Sequence, residues 1–325
     1  MELTCRKNDH IELTKASQKS SHKSNLVYEP LLSSHQFNED EIDFLGKKLK
    51  APLWISSMTG GGSKGKGLNQ VYARACKEHG IGLGLGSLRI AIEDEAYKED
   101  FNVRHLIGQN LPLWGNLGIA QVEKYLEDES WNKVEDLWRE LDLDGAFIHI
   151  NPLQEWVQDE GDRLLKSPMK TLERLKKETK LPIMIKGVGQ GIGPKSLKAL
   201  ADLNFLGIEF GAWGGTNFSI LEASRKSHSV DLWKDLGRLG QSKDQMMNDI
   251  IDLKNLFSEE THLIISGGIR SLLDGVELLK RSPFPSVIGM AWPYLKAAEE
   301  GESILKETIN EQIKIIQFLE NFTEL

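Results

Sequence analysis

The chain has 325 residues, 40% of them hydrophobic, and carries 40 Lys and Arg against 48 Asp and Glu, a formal net charge of −8. That balance excludes a general nucleic-acid binder, which needs a basic face to neutralise phosphates, while leaving room for local cationic pockets that hold small phosphorylated ligands. Two cysteines, Cys5 and Cys76, supply neither a disulfide framework nor a metal-ligand spacing, and no apolar run approaches the ~18 residues of a membrane span, so a soluble, cytoplasmic chain without membrane partners is expected.

In chain order, residues 1–50 are polar and mixed in charge, lack the apolar stretch of a secretory signal, and read as an N-terminal extension. Short apolar, β-rich runs then alternate with segments of helical period. LWISS (53–57) precedes the helix-like NQVYARACKEH, and GIGLGLGS (80–87) and LPLWGNLG (111–118) follow. KVEDLWRELD leads to GAFIHIN (145–151), MKTLERLKKET to IMIKGVG (183–189), and KSLKALADL to FLGIEFG (205–211). After an excursion around residues 217–245, MMNDIIDLKNLF precedes HLIISGG (262–268), and RSLLDGVELLKR precedes PSVIGMA (285–291). Buried strands alternating with amphipathic helices imply right-handed βαβ units and a parallel sheet. Eight such units predict an α/β fold, a (β/α)8 TIM barrel, occupying residues 1–325 as one domain with its N-terminal extension. ILKETINEQIKIIQFLENF, with its isoleucines and leucines at helical spacing, is expected to close the barrel.

A parallel barrel works at the C-terminal ends of its strands. Here those ends are almost all glycine or small polar residues: Ser57-Met58-Thr59, Gly86-Ser87, Asn116, His149 and Asn151, Lys186-Gly187, Gly214-Gly215-Thr216, Ser266-Gly267-Gly268 and Gly289-Met290-Ala291. Any one glycine is explained by a turn. A ring of them round one mouth suits a large planar ligand with a phosphate, such as FMN, because glycine lets backbone N–H groups approach closely. Two glycine clusters imitate other motifs. Gly60 to Gly67 nearly spells a P-loop, but Gly67 stands where Ser or Thr should hold Mg²⁺, and Gly187 to Gly193 lacks the Gly-x-Gly-x-x-Gly spacing of a dinucleotide fold.

The densest polar segment is His149-Ile150-Asn151-Pro152-Leu153-Gln154-Glu155. On a strand His149 and Asn151 share a face; Pro152 then ends the ladder and leaves Gln154 and Glu155 in the loop beyond. Glu155 can hold a hard cation such as Mg²⁺. Arg6, Lys7 and His10 cluster in the extension and Arg89 follows the second run, donors of the kind a diphosphate needs. Lys186, at the end of a buried strand, needs an anion, and a flavin ring edge would serve.

Along nearly its whole length the chain resembles the type 2 isopentenyl-diphosphate isomerases. The resemblance is carried by RKNDHI, FLGKKLKAPLWISSMTGG, GLGSLR, WGNLGIAQ, HINPLQEWVQDEGD, IKGVG, GGTNF, SGGIR and GMAWP. It implies interconversion of isopentenyl and dimethylallyl diphosphate by a 1,3 proton shift, with FMN kept reduced by NADPH and acting as acid and base, with Mg²⁺, in a homo-oligomer, a tetramer or octamer. It further implies that Ser57, Met58, Thr59, Ser87, Asn116, Lys186 and Thr216 bind FMN. Gly267, Gly268, Arg270, Met290 and Ala291 would hold its phosphate. Arg6, Lys7, His10 and Arg89 would grip the substrate diphosphate, Gln154 would contact substrate with His149 and Asn151 beside it, and Glu155 would ligate Mg²⁺. Leu88, Glu209, Ala212 and Trp213 depart from the usual pattern of such sequences. The rival expectations are an FMN-dependent oxidoreductase on the same barrel and a flavin-binding barrel without catalysis.

Overall fold

The computed structural model describes Thr14, residues 24–37 and residues 40–325; Arg6, Lys7 and His10 lie outside the described residues. Among the described residues three short strands precede the barrel. β1 (Val27–Tyr28) pairs antiparallel with the chain's last strand, β12 (Thr323–Glu324). β2 (Ile42–Phe44) and β3 (Lys47–Leu49) form a hairpin whose two connecting residues, Leu45 and Gly46, both have positive φ (53° and 74°), the backbone hand that matches strand twist in a two-residue turn. The hairpin brings Phe44 edge-on against Trp54 and His262, with ring centroids 6.1 and 5.1 Å away, and so covers the N-terminal end of the barrel.

All eight apolar runs become barrel strands: β4 (Leu53–Ile55), β5 (Gly82–Ser87), β6 (Leu113–Gly118), β7 (Gly145–His149), β8 (Ile183–Lys186), β9 (Gly207–Glu209), β10 (His262–Ser266) and β11 (Ser286–Met290). They pair in parallel in chain order, and β11 closes on β4. Both faces of such strands are buried, which is why they read as near-continuous apolar runs. Large and small residues alternate in the interior: a Cβ on Gly82 would lie 2.1 Å from the Trp54 ring, and one on Gly145 would lie 2.6 Å from Trp114. Phe147 fills the space between, its ring centroid 5.9 Å from Trp54 and 5.3 Å from Trp114.

The helices stop where their sequence says. The helix Ser63–His79 ends on Gly80 in the left-handed region (φ 65°), whose N–H bonds back to the carbonyl of Cys76 before the chain turns into β5. The excursion after β9 holds two short α-helices, Phe218–Ala223 and Val230–Asp235, then a 3-10 turn, Leu236–Arg238, and ends at Ser242, which caps the helix Lys243–Leu253 through a reciprocal bond pair with Gln245. The stretch expected to close the barrel is one helix, Glu302–Phe322, which follows the helix Trp292–Glu300 across Gly301 and buries Leu305, Ile309, Ile316 and Leu319 along one face. Among the described residues no helix is long and apolar enough to cross a membrane.

Candidate active site

In a parallel sheet, residues in register on neighbouring strands point the same way. Gly118, His149, Lys186 and Glu209 are in register across β6, β7, β8 and β9, and form a polar row at the C-terminal rim. The glycine is needed there: a Cβ on Gly118 would stand 2.3 Å from Gln121 Oε1 and 2.8 Å from His149 Nε2. His149 Nδ1 lies 2.7 Å from Asn116 Oδ1. With the amide oxygen assigned to that atom, Nδ1 donates and Nε2 keeps its lone pair. Burial, and then the charge of Lys186, push the imidazole down to about 4, so His149 is neutral near pH 7.

Lys186 Nζ stands 2.6 Å from Glu209 Oε1, and the Lys and Glu side chains are 8% and 0% exposed. The anion that Lys186 requires is therefore a protein carboxylate on the next strand. Ser266 Oγ donates to the same oxygen at 3.2 Å, while Glu209 Oε2 is buried without a partner among the described residues.

Beyond β7 the chain departs from the extended course that alternation predicts. Asn151 (φ −130°, ψ 41°) is the N-cap of a helix, Pro152–Val157, with Pro152 at its first position. Proline's fixed φ is already helical, so it starts a helix here as well as ending a strand. Asn151 therefore shares no strand face with His149, and Gln154 and Glu155 sit on a helix rather than in a loop. Asn151 Nδ2 donates to Glu155 Oε1 at 2.8 Å, and the backbone N–H of Asp162 donates to Glu155 Oε2 at 2.8 Å. Both carboxylate oxygens are thus oriented, in the first turn of a helix where negative charge is favoured.

These groups converge on one cavity of ≈ 340 Å³ at the C-terminal mouth, a size typical of ligand sites. Arg89, His149, Asn151, Gln154 and Glu155 line one part of it. Ser57, Met58, Ser87, Asn116 and Lys186 line its floor and wall, and Thr216, Gly267, Gly268, Met290 and Ala291 complete the mouth. Two residues of the sequence-based set stand apart. Thr59 is absent from the lining, its hydroxyl donating to Asn69 Oδ1 at 2.7 Å and its carbonyl accepting from Gly86. Arg270 is exposed and borders an adjoining groove with Lys243. Sequence reasoning passed over Ser56, Gln121 and Trp292, which also line the cavity, and gave Glu209 no role there. Gln121 stood in the quoted WGNLGIAQ run, three residues beyond Gly118 and so one helical turn into the helix Ile119–Glu127.

The lining fits a flavin. Ser56 Oγ and Ser57 Oγ are buried without a partner among the described residues, in residues that line the cavity. Gly267 and Gly268 have φ of 83° and 68°, and a Cβ on Gly267 would lie 2.3 Å from the backbone of Ala212. Only glycine takes that path, which packs the loop after β10 against the loop after β9; the loops after β10 and β11, the seventh and eighth strands of the barrel, are where barrels bind phosphate. The glycine cluster Gly60–Gly67 runs into the helix Ser63–His79, and Lys64 in its first turn pairs with Glu299.

No family model matches the chain. The isopentenyl-diphosphate delta-isomerase of Rickettsia typhi is 32% identical over 323 residues, covering 95% of this chain and 91% of the relative. The chain belongs to the isopentenyl-diphosphate delta-isomerase family. The family's protein from Rickettsia africae is 30% identical over 328 residues, with the same coverage of 95% and 91%. Among solved structures, a flavocytochrome b2 mutant with pyruvate bound superposes with a TM-score of 0.62 at 17% identity, over 90% of this chain and 71% of that one. A mandelate oxidase mutant with a monooxide FMN adduct gives 0.57 at 15% identity, over 92% and 88%. Both share the barrel fold with this chain.

Proposed function

We propose that this chain interconverts isopentenyl and dimethylallyl diphosphate by a 1,3 allylic proton shift, with FMN, NADPH as its reductant, and Mg²⁺, in the cytoplasm and as a homo-oligomer. Family membership supports the substrate and reaction. The observation that carries the site assignment is that the His149–Glu155 segment and the glycine loops after β9 and β10 face each other across one cavity.

Bound FMN, once reduced, would supply the proton donor and acceptor of the shift. Ser57, Met58, Ser87, Asn116 and Thr216 would hold its ring and chain, and Gly267, Gly268, Met290 and Ala291 its phosphate. Thr59 supports that wall from behind, and Arg270 would reach the phosphate only by swinging in from the adjoining groove. Lys186 offers one cation to the ring edge, its charge balanced from behind by Glu209.

The protein's part in the proton transfer is positioning and electrostatics. His149, neutral and held by Asn116, presents Nε2 as an acceptor and is a poor acid at pH 7. Asn151 orients Glu155 and, at 3.4 Å, Gln154, which would set the reacting alkene in place. Glu155 fits Mg²⁺ as a single carboxylate ligand. Among the described residues no group of three or more His, Cys, Asp or Glu could cage a metal, and Mg²⁺ characteristically completes its shell with water and substrate phosphate. Arg89 would take one phosphoryl group through its guanidinium fork, with Arg6, Lys7 and His10 as the remaining donors.

The test is product analysis of purified protein given isopentenyl diphosphate and Mg²⁺, with flavin oxidised or reduced. Dimethylallyl diphosphate forming only with reduced flavin supports the reading. Oxidised products or steady NADPH consumption would instead identify an oxidoreductase, and bound flavin without turnover a non-catalytic barrel.

A further inference from the structure

The segment after the helix Pro152–Val157 carries an arrangement that the substrate and metal assignments leave unused. Asp162 sits between three cavity-lining residues. Its Oδ2 accepts from Arg89 Nη1 at 2.8 Å and from Gln121 Nε2 at 2.8 Å, and its backbone N–H donates to Glu155 Oε2 at 2.8 Å. Arg89, Gln121 and Glu155 come from three different parts of the barrel, following β5, β6 and β7, and Asp162 is bonded to all of them.

The turn that puts it there is specified by Gly161. A Cβ on Gly161 would lie 2.1 Å from the carbonyl oxygen of Glu155 and 3.1 Å from that of Gln158, so only glycine lets the chain fold back over the helix end. The same carbonyl of Glu155 accepts from Arg163 Nη1 at 2.7 Å, which pins the turn from its other side.

The charges require such a device. Arg89 also bonds Glu93, at 3.0 Å, and is about half exposed, so without a second anchor its long side chain has several rotamers open to it. Fixed between Glu93 and Asp162 it has one direction, with its remaining N–H groups free for an anion in the cavity.

We propose that Asp162 is a positioning residue: its carboxylate aims Arg89 at the substrate diphosphate and fixes Gln121 beside it, while its backbone N–H, placed by Gly161, orients Glu155 toward the metal that shares that diphosphate. This rests on the reading of Arg89 as a diphosphate ligand and of Glu155 as a Mg²⁺ ligand. Asp162 itself touches neither substrate nor metal. One turn sets the distance between the cationic and the metal-borne grips on the same diphosphate.

The two arms separate by substitution. Asp162→Asn removes the charge that orients Arg89 but keeps the backbone N–H on Glu155. It is expected to raise KM for isopentenyl diphosphate about tenfold, with kcat within about twofold of the parent and the Mg²⁺ requirement unchanged. Asp162→Glu should recover part of that loss. Gly161→Ala displaces Glu155 and is expected to raise the Mg²⁺ concentration needed for half-maximal binding by about tenfold.

The direct measurement is calorimetric titration of isopentenyl diphosphate into the full flavin-loaded protein at several Mg²⁺ concentrations, with Arg89→Ala and Glu155→Ala as references. If Arg89→Ala and Glu155→Ala weaken binding but Asp162→Asn and Gly161→Ala bind like the parent, the positioning role is wrong and the site reading survives. If the two reference variants bind like the parent, the site reading itself falls. Unchanged flavin absorbance and thermal midpoint for Asp162→Asn exclude a general loss of structure as the cause.

Discussion

The buried pair Lys186–Glu209 gives the sharpest test of how the site is built. With the two side chains 8% and 0% exposed and Nζ 2.6 Å from Oε1, neither charge has water to fall back on. Removing one partner of such a pair costs about 3–5 kcal/mol, because the survivor is left charged in a poorly polarisable wall. Glu209→Gln keeps the shape and a neutral acceptor, so its cost falls below that range, at about 2–3 kcal/mol. Lys186→Met strands a carboxylate that, among the described residues, has one unpartnered oxygen and keeps Ser266 on the other, and should cost nearer ~4 kcal/mol. The double variant has no stranded charge, so its loss should fall short of the sum of the singles by about 2 kcal/mol or more. Urea unfolding without flavin, followed by tryptophan fluorescence and far-UV dichroism, measures all four proteins. Losses that add to within ~0.5 kcal/mol would refute the claim that the two charges neutralise each other.

Three further outcomes follow from the same geometry. Because the folded His149 resists protonation down to about 4 against 6.5 for an ordinary imidazole, the unfolded chain binds the extra proton first, and stability present above pH 6.5 should be lost as pH falls toward 4. The cavity admits some water to the ring, so the contribution is about 1–2 kcal/mol, read as the difference in pH dependence between the parent and His149→Gln; parallel curves would count against a neutral buried imidazole. Gln154→Ala should cut kcat about a hundredfold while flavin stays bound by absorbance, and near-parent turnover would remove Gln154 from the reaction. Glu155→Ala should raise the Mg²⁺ needed for half-maximal turnover at least about tenfold, and an unshifted Mg²⁺ titration would remove the ligand role.

How much of this was legible in the sequence follows from burial. All eight barrel strands are visible as apolar runs because a parallel barrel buries both strand faces, and the excursion after β9 shows as the one long gap between runs. The β2–β3 hairpin is hidden: its strands IDF and KKL are short and mixed, and its stability comes from Phe44 packing on Trp54 and His262, a contact no local pattern announces. The misplaced loop at Gln154 has a similar origin. Pro152 ends a strand and starts a helix with equal ease, and the choice is made by where the chain must go next. Lys186's need for an anion can be read from its neighbours, but not that Glu209, 23 positions on, supplies it; that depends on the register of β8 with β9. The role of Asp162 is likewise invisible in one dimension, since Arg89 and Gln121 reach it from behind other strands.

The central claim is that the site uses reduced flavin without spending it. The direct measurement is to reduce the flavin of the purified protein once with NADPH in the absence of oxygen, add isopentenyl diphosphate and Mg²⁺, and count product molecules against NADPH consumed. The account predicts dimethylallyl diphosphate accumulating over many turnovers with no further NADPH oxidised. One NADPH consumed per product molecule, or the same rate with oxidised flavin, would contradict it.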